Sequence, residues 1–391
     1  MRSKFYSYLM SLGHVTADMN QGALSAILPY LIVAYNYDFA TAGSIVMFYS
    51  VVGSVVQPVF GQLADKHFNL WVMPISLLLA CGGMACTGIT SNYWTLCAAA
   101  MLSGIGVSMF HPIAALILNR TAPTGRLGEC LSIFSFGGNM GFVIGPLLAG
   151  TLVSLFDLKG TLILLIPALI TNTVIWFKHK EIIAIMGEKP GEKKAVKETK
   201  GEDNWKAFGI LTLGVLSRSV LFFALNTYIL LYWIYEFGQT KAYSSTLLSC
   251  FFACSAMSTL VGGRFADKYG YRKILRISYF LMLPSLIAFC LSNNMYLSTI
   301  ILIPMGLAPS LGYSSNVALG QLFLPNHLGL ASGISLGLSV SMGGVVLPLL
   351  GKIADIYGLK MVFVALIAVC LLAICSAMMV PDAKKNLQTQ N

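Results

Sequence analysis

Two ionisable residues lie deep inside apolar stretches of this sequence, where a charge is costly and is kept only against a partner or a water-filled passage. Asp18 stands about a dozen residues into the apolar segment 5–35, and Arg218 about a dozen into segment 206–236. At about 1.5 Å per helical residue, each reaches mid-membrane depth. His14 and Gln21 are four residues before and three after Asp18, so helical spacing puts all three on one face. A carboxylate beside an imidazole suits a proton carrier, because imidazole exchanges protons in the physiological range. The competing reading is a static polar cluster that ties this helix to a neighbour. Arg218 keeps its proton. It reads either as a fixed cation for a phosphonate or carboxylate, paired with Asp18 when no ligand is bound, or as half of a permanent salt bridge.

Other polar residues inside apolar segments extend the candidate site. Asn226 follows Arg218 by eight residues and falls close to the same face; Tyr228 is a weaker candidate. His111 precedes Pro112, and proline removes a helical donor and kinks the helix. His111 therefore contacts substrate, relays protons, or satisfies a carbonyl exposed by the kink. Asn139, Tyr313 and Asn316 are further lining residues. Trp233 and Tyr235 read as interfacial anchors. The five histidines are dispersed, and no nucleophile–base–acid set is visible, so an enzyme is disfavoured. The nine cysteines lie in or beside apolar blocks, with no C-x-x-C pair and no histidine at metal spacing. They read as packing residues, with no disulfide, metal centre or cofactor expected.

These residues need helices to hold them. The chain has 391 residues, 57% apolar and only 10% charged, with a mean hydropathy of +0.77. That composition excludes a soluble globule and a disordered chain. Long blocks such as 70–89 and 361–380 argue for helical spans rather than the alternating strands of a barrel. The spans are expected at 5–35, 39–64, 70–90, 93–118, 127–155, 160–178, 206–236, 242–265, 272–291, 295–322, 328–355 and 358–380. This is an all-α membrane protein with twelve transmembrane helices. The polar stretch Lys178–Lys206 divides it into bundles 1–178 and 206–391, joined by a solvated connector, 179–205. The net charge of +10 belongs to short loops and not to nucleic-acid binding. Most Lys and Arg fall at the termini, in the connector and in the 2–3, 4–5 and 8–9 loops. The opposite side holds only Lys159, Lys241, Lys352 and Lys360. The positive-inside rule then places both termini and the connector in the cytoplasm of a cell-membrane protein.

An internal repeat supports two bundles. Gly61-Gln-Leu-Ala-Asp65-Lys66 recurs as Gly263-Arg-Phe-Ala-Asp267-Lys268, and Pro146-Leu-Leu as Pro348-Leu-Leu, both at an offset of 202 residues. Parallel repeats place a binding site between the halves near mid-membrane. With Gly270, Arg272 and Lys273, the second copy resembles the loop motif of the major facilitator superfamily; the first departs from it at His67-Phe68-Asn69. Ser108-Met-Phe-His111-Pro112, Arg126-Leu-Gly128, Gly137-Gly-Asn139-Met-Gly141, Gly145-Pro146-Leu147, Ser332-Gly333, Met342-Gly-Gly344 and Leu350-Gly-Lys-Ile-Ala-Asp355 are similar to the fosmidomycin-resistance group of drug exporters.

The resemblance implies the major facilitator fold of two pseudo-symmetric six-helix bundles. It also implies proton-coupled export of a small molecule, an antibiotic or a metallophore, by a monomer in contact with lipid. It further implies a cytoplasmic gate, in which Asp65 latches against span 11, with Gly61, Gly263, Asp267 and Arg272 in the two loop motifs. The glycine-rich runs 137–145 and 333–344 lie inside apolar helices and read as close packing, alone or with sliding of spans 5 and 11. The rival readings are an uptake carrier of the same fold, a membrane-embedded enzyme and a channel; the last lacks a filter-like motif.

Overall fold

The computed structural model describes residues 2–66, 69–121, 127–187, 202–327, 330–331, 334–335 and 339–381. Apolar segments must pair their backbone groups internally in lipid, and every regular element among the described residues is helical. The amino-terminal half holds α1 (Arg2–Tyr35), α2 (Phe39–Lys66), α3 (Val72–Cys86), α4 (Tyr93–Thr121), α5 (Leu127–Phe156) and α6 (Ile166–Gly187). A 3-10 stretch, Asp157–Leu165, leads into α6. The other half holds α7 (Trp205–Tyr235), α8 (Lys241–Tyr269), α9 (Tyr271–Leu291), α10 (Met295–Leu311), α11 (Tyr313–Phe323), α12 (Ser339–Val345), α13 (Leu347–Tyr357) and α14 (Leu359–Met379). Among the described residues, eight helical segments are long and apolar enough to cross a membrane.

Polar residues between the apolar runs start the helices. Asn204 accepts from the Ala207 amide, Thr240 from Tyr243, and Asn294 from Tyr296 and Leu297. These caps satisfy donors that a helix start leaves free. Asp38 and Asn92 cap α2 and α4 through the Thr41 and Thr95 amides. Gly270, at φ +95°, and Gly358, at φ +87°, turn the chain from α8 into α9 and from α13 into α14, a conformation that glycine adopts without strain.

Two expected spans are broken, and a third helix runs past its expected end. Segment 295–322 breaks at Gly312, after Pro304 and Pro309, each of which removes a helical donor. Segment 328–355 breaks at Val346, so that Pro348 sits in the first turn of α13, where its missing N–H costs nothing. In the connector, α6 runs on beyond Lys178 to Gly187, and residues 188–201 lie outside the described residues.

In the first half α1 packs on α5, and α2 and α3 on α4; in the second, α7 packs on α12 and α14, and α10 on α8 and α9. Between the halves α5 meets α8, and α2 meets α12 and α13. This exchange of equivalent helices is the pairing that a duplicated unit makes about a central axis. Phe142 of α5 fills that junction against Phe222 of α7 and Phe252 of α8, at 5.7 and 5.3 Å between ring centres.

The outer surface is apolar. Val33, Leu155, Phe177, Ile300 and Met379 are each more than half exposed, a surface suited to lipid and not to water. Trp71, Trp94, Trp176 and Trp205 are exposed as well. Trp233, expected as an interfacial anchor, is instead fully buried among Tyr232, Phe237 and Phe289. Its helix, α7, is buried along most of its length, so position near a helix end does not bring that ring to the surface.

Candidate functional site

Packing of α1, α4 and α5 assembles a compact ionisable cluster. His14 and Asp18 are one turn apart on α1, and His14 Nε2 lies 3.0 Å from Asp18 Oδ2. Helix α4, which carries Pro112 in its interior, brings His111 Nε2 to 3.1 Å from Asp18 Oδ1 and 3.1 Å from His14 Nε2. Behind the cluster, α5 supplies the Phe134 carbonyl to His14 Nδ1 at 2.8 Å and stacks the Phe134 ring on the imidazole. His111 Nδ1 meets the Val107 carbonyl one turn back on its own helix, also at 2.8 Å. Asp18 and His14 are each 8% exposed.

Glycine makes this approach possible. A Cβ on Gly138 would fall 2.5 Å from His14 Nε2 and 2.8 Å from Asp18 Oδ2. Gly137, Gly141 and Gly145 meet Ser11, Val15 and Met19 of α1 in the same way. The 137–145 run therefore packs within its own half, while Gly150 further along α5 meets Ser245 of α8 across the interface. In the second half Gly343 meets Ser219 of α7, whereas Gly344 and Gly351 meet α2 at Ser50 and at Phe39–Ala40.

Arg218 lies on α7 in the opposite half and is 7% exposed. Its guanidinium sits 4.9 Å over the Tyr313 ring, a cation–π contact, and its Nε has no hydrogen-bond partner. The expected pairing of Arg218 with Asp18 is not formed, because two histidines surround the carboxylate and the arginine faces an aromatic ring. Tyr313 lies within electrostatic range of both Arg218 and Asp18. Gln21, Asn226 and Asn316 are buried and carry unpartnered amide atoms. Buried polar groups rarely stay unpaired, so these three amides have unmet hydrogen-bonding capacity. Asn139 is only half-buried. Tyr228 instead donates to the Leu347 carbonyl at 2.6 Å, a tie between α7 and α13.

The loop-motif residues sit at the ends of α2 and α8. Gly61 faces Pro112 of α4, and Gly263 faces Ser314 of α11. Asp267 Oδ1 accepts from the Tyr271 hydroxyl at 3.0 Å, within its own turn. Arg272 is half-buried with its Nε unpartnered. The Asp65 side chain, like residues 67–68 and 332–333, lies outside the described residues.

Sequence reasoning missed a carboxylate that does bridge the halves. Asp355, at the end of α13, accepts from the Phe39 and Ala40 amides at 2.8 and 3.0 Å and so caps the start of α2. Two more contacts cross between the halves: Lys241 of α8 covers the Tyr30 ring of α1 at 4.0 Å, and Phe39 of α2 meets Tyr235 of α7 edge-on at 5.3 Å. A signal existed: the string Ala-Asp-x-Tyr-Gly at 266–270 recurs at 354–358, and both glycines have positive φ.

Known proteins share this architecture. The Major Facilitator Superfamily profile matches residues 10–235 and 207–391. The chain is 26% identical to the "Fosmidomycin resistance protein" of Escherichia coli (strain K12), over 90% of this chain and 87% of that one. It is 25% identical to the "Uncharacterized MFS-type transporter YfnC" of Bacillus subtilis (strain 168), over 97% and 94%. A crystal structure of a bacterial homolog to the human lysosomal transporter Spinster, in an inward-facing and occupied conformation, superposes with a TM-score of 0.83. That match covers 100% of this chain and 98% of that one at 12% identity, a likeness of fold. Since the family profile covers both halves of the chain, the chain belongs to the Major Facilitator Superfamily of membrane transporters.

Proposed function

We propose that the chain is a secondary active transporter that exports a small polar or anionic compound, such as an antibiotic or a metallophore, in exchange for protons. The observation that carries this reading is the pair of buried poles: a histidine–carboxylate cluster on one half and an arginine on the other. No carboxylate lies within ion-pair distance of Arg218 among the described residues. A buried cation without a counter-charge costs several kcal/mol, and an anionic group on the bound substrate removes that cost. Gln21, Asn226, Asn316 and Tyr313 supply further contacts, with Asn139 at the margin.

Asp18 and His14, bridged by His111, hold the coupling proton. Binding and release alternate as twelve spans in two bundles rock about the central site. In the described arrangement the Asp355–α2 cap helps hold the halves together on the external side. Gly61, Asp65, Gly263, Asp267 and Arg272 form the cytoplasmic gate. The protein acts as a monomer in the cell membrane, with both termini in the cytoplasm. Similarity to the fosmidomycin resistance protein supports export; uptake is the same cycle run down a different gradient.

Purified protein in sealed vesicles tests this reading. Flux of fosmidomycin and of a panel of phosphonates and carboxylates is measured with pH gradients of either sign. Gradient-dependent movement of an anionic compound is expected. Transport confined to neutral compounds, or indifferent to the pH gradient, would overturn the reading.

A further inference from the structure

The hydrogen-bond pattern around His14, Asp18 and His111 defines where their lone pairs point. Each histidine presents Nδ1 to a backbone carbonyl, Phe134 O for His14 and Val107 O for His111. A carbonyl only accepts, so each Nδ1 carries the hydrogen, and Nε2 of a neutral ring is a bare lone pair. The two Nε2 atoms face one another at 3.1 Å and face the Asp18 oxygens at 3.0 and 3.1 Å. Acceptors packed this closely repel one another unless a positive charge, a proton or a metal ion, sits among them.

We propose that this point is a binding site for a divalent transition-metal ion of the zinc type, held by His14 Nε2, His111 Nε2 and an Asp18 carboxylate oxygen. The donor set matches: imidazole nitrogen and carboxylate oxygen bind zinc at about 2.0–2.2 Å. At that radius, adjacent donors stand about 3.3 Å apart in a tetrahedron and about 2.9 Å apart in an octahedron. The two imidazole nitrogens stand 3.1 Å apart, and each meets a different Asp18 oxygen at 3.0 and 3.1 Å; both nitrogens and one carboxylate oxygen lie within 4.8 Å of one another, so side-chain rotation brings the three onto one ion. The surroundings match as well. Histidine ligands of metals usually donate their second ring nitrogen to a carbonyl or carboxylate, which fixes ring orientation, and both rings do so here. Phe134 stacked on His14, and Gly138 seated against it, hold that ring in place. The His111 side chain keeps 24% of its surface exposed, which leaves a route for the ion. Three protein donors leave at least one coordination position for water or for an oxygen of a chelating substrate.

This site goes beyond the transport reading and is separable from it. Proton-coupled flux requires no metal affinity, and metal affinity requires no flux. The test is Zn2+ binding by the purified, metal-stripped full chain in detergent at fixed pH, followed by equilibrium dialysis and by thermal unfolding. The expected result is about one tightly held Zn2+ per chain and a raised unfolding temperature, since a ligand that binds only the folded state stabilises it. His14→Ala, His111→Ala and Asp18→Asn should each weaken binding by more than the roughly 10- to 100-fold that loss of an outer-shell partner costs. His179→Ala and His327→Ala, which lie on other helices or loops, should leave it unchanged. X-ray absorption of the zinc-loaded wild type needs no variant and should show two imidazole nitrogens and oxygen neighbours around the metal. Absence of Zn2+ binding by the wild type would overturn the proposal. So would binding that survives all three substitutions, or a zinc environment without imidazole.

Discussion

Asp355→Asn isolates the tie between the halves from the chemistry of the site. Asp355 accepts from two consecutive amides at the start of α2, at 2.8 and 3.0 Å. Asparagine keeps the shape, presents one acceptor oxygen and removes the charge. Loss of one hydrogen bond costs about 0.5–1.5 kcal/mol. Loss of an anion at an exposed helix N-terminus adds about 0.3–1 kcal/mol. The sum, about 1–2.5 kcal/mol, corresponds to roughly a 5- to 70-fold shift toward the state in which this face is open. Spin labels at Lys159 and Glu236, both exposed and in opposite halves, report that separation in reconstituted protein. The variant should gain a longer-distance population, and Asp355→Glu should gain less of it. An unchanged distance distribution in Asp355→Asn would refute the assignment of this contact as a latch.

Three further predictions rest on other contacts. Gly138→Ala drives a methyl group into His14 and Asp18 and should destabilise by about 1–3 kcal/mol. Gly209→Ala, with open space around it, should be neutral or slightly stabilising in the same thermal unfolding assay; equal melting of the two variants would contradict the packing. Arg218→Gln should weaken equilibrium binding of an anionic substrate by roughly 10- to 100-fold, the loss of a charge-assisted contact of about 1.5–3 kcal/mol. Arg218→Lys should rescue it only in part, because an ammonium lacks the planar fork. Membrane-impermeant labelling of single cysteines should reach positions 159 and 241 from outside intact cells and spare 193 and 194; labelling of 194 from outside would reverse the topology.

Much of the helical framework was legible because long apolar runs are separated by short polar breaks. The apolar runs alone placed the spans; the caps Asn204, Thr240 and Asn294, which fix three helix starts, emerge only in the structure. The break at Gly312 was not read, although Pro304 and Pro309 precede it, because hydropathy continues unbroken across it. At the site, the spacing of His14 and Asp18 was readable on one helix. Their union with His111 was not, since it depends on how α4 packs against α1, 97 residues away in sequence. The same gap explains the expected Asp18–Arg218 pair: depth along a helix is local information, whereas the partner a side chain meets is tertiary. Asp355 stands in a motif string, but its donors are backbone amides, which no side-chain pattern reveals.

The central claim is that Asp18, within its histidine cluster, couples proton movement to substrate movement. Accumulation of a transported compound against its own gradient, driven by an imposed pH gradient across sealed vesicles, tests it most directly in Asp18→Asn. The variant should fold, exchange substrate down its gradient and fail to concentrate it. Undiminished uphill transport by Asp18→Asn would contradict the claim.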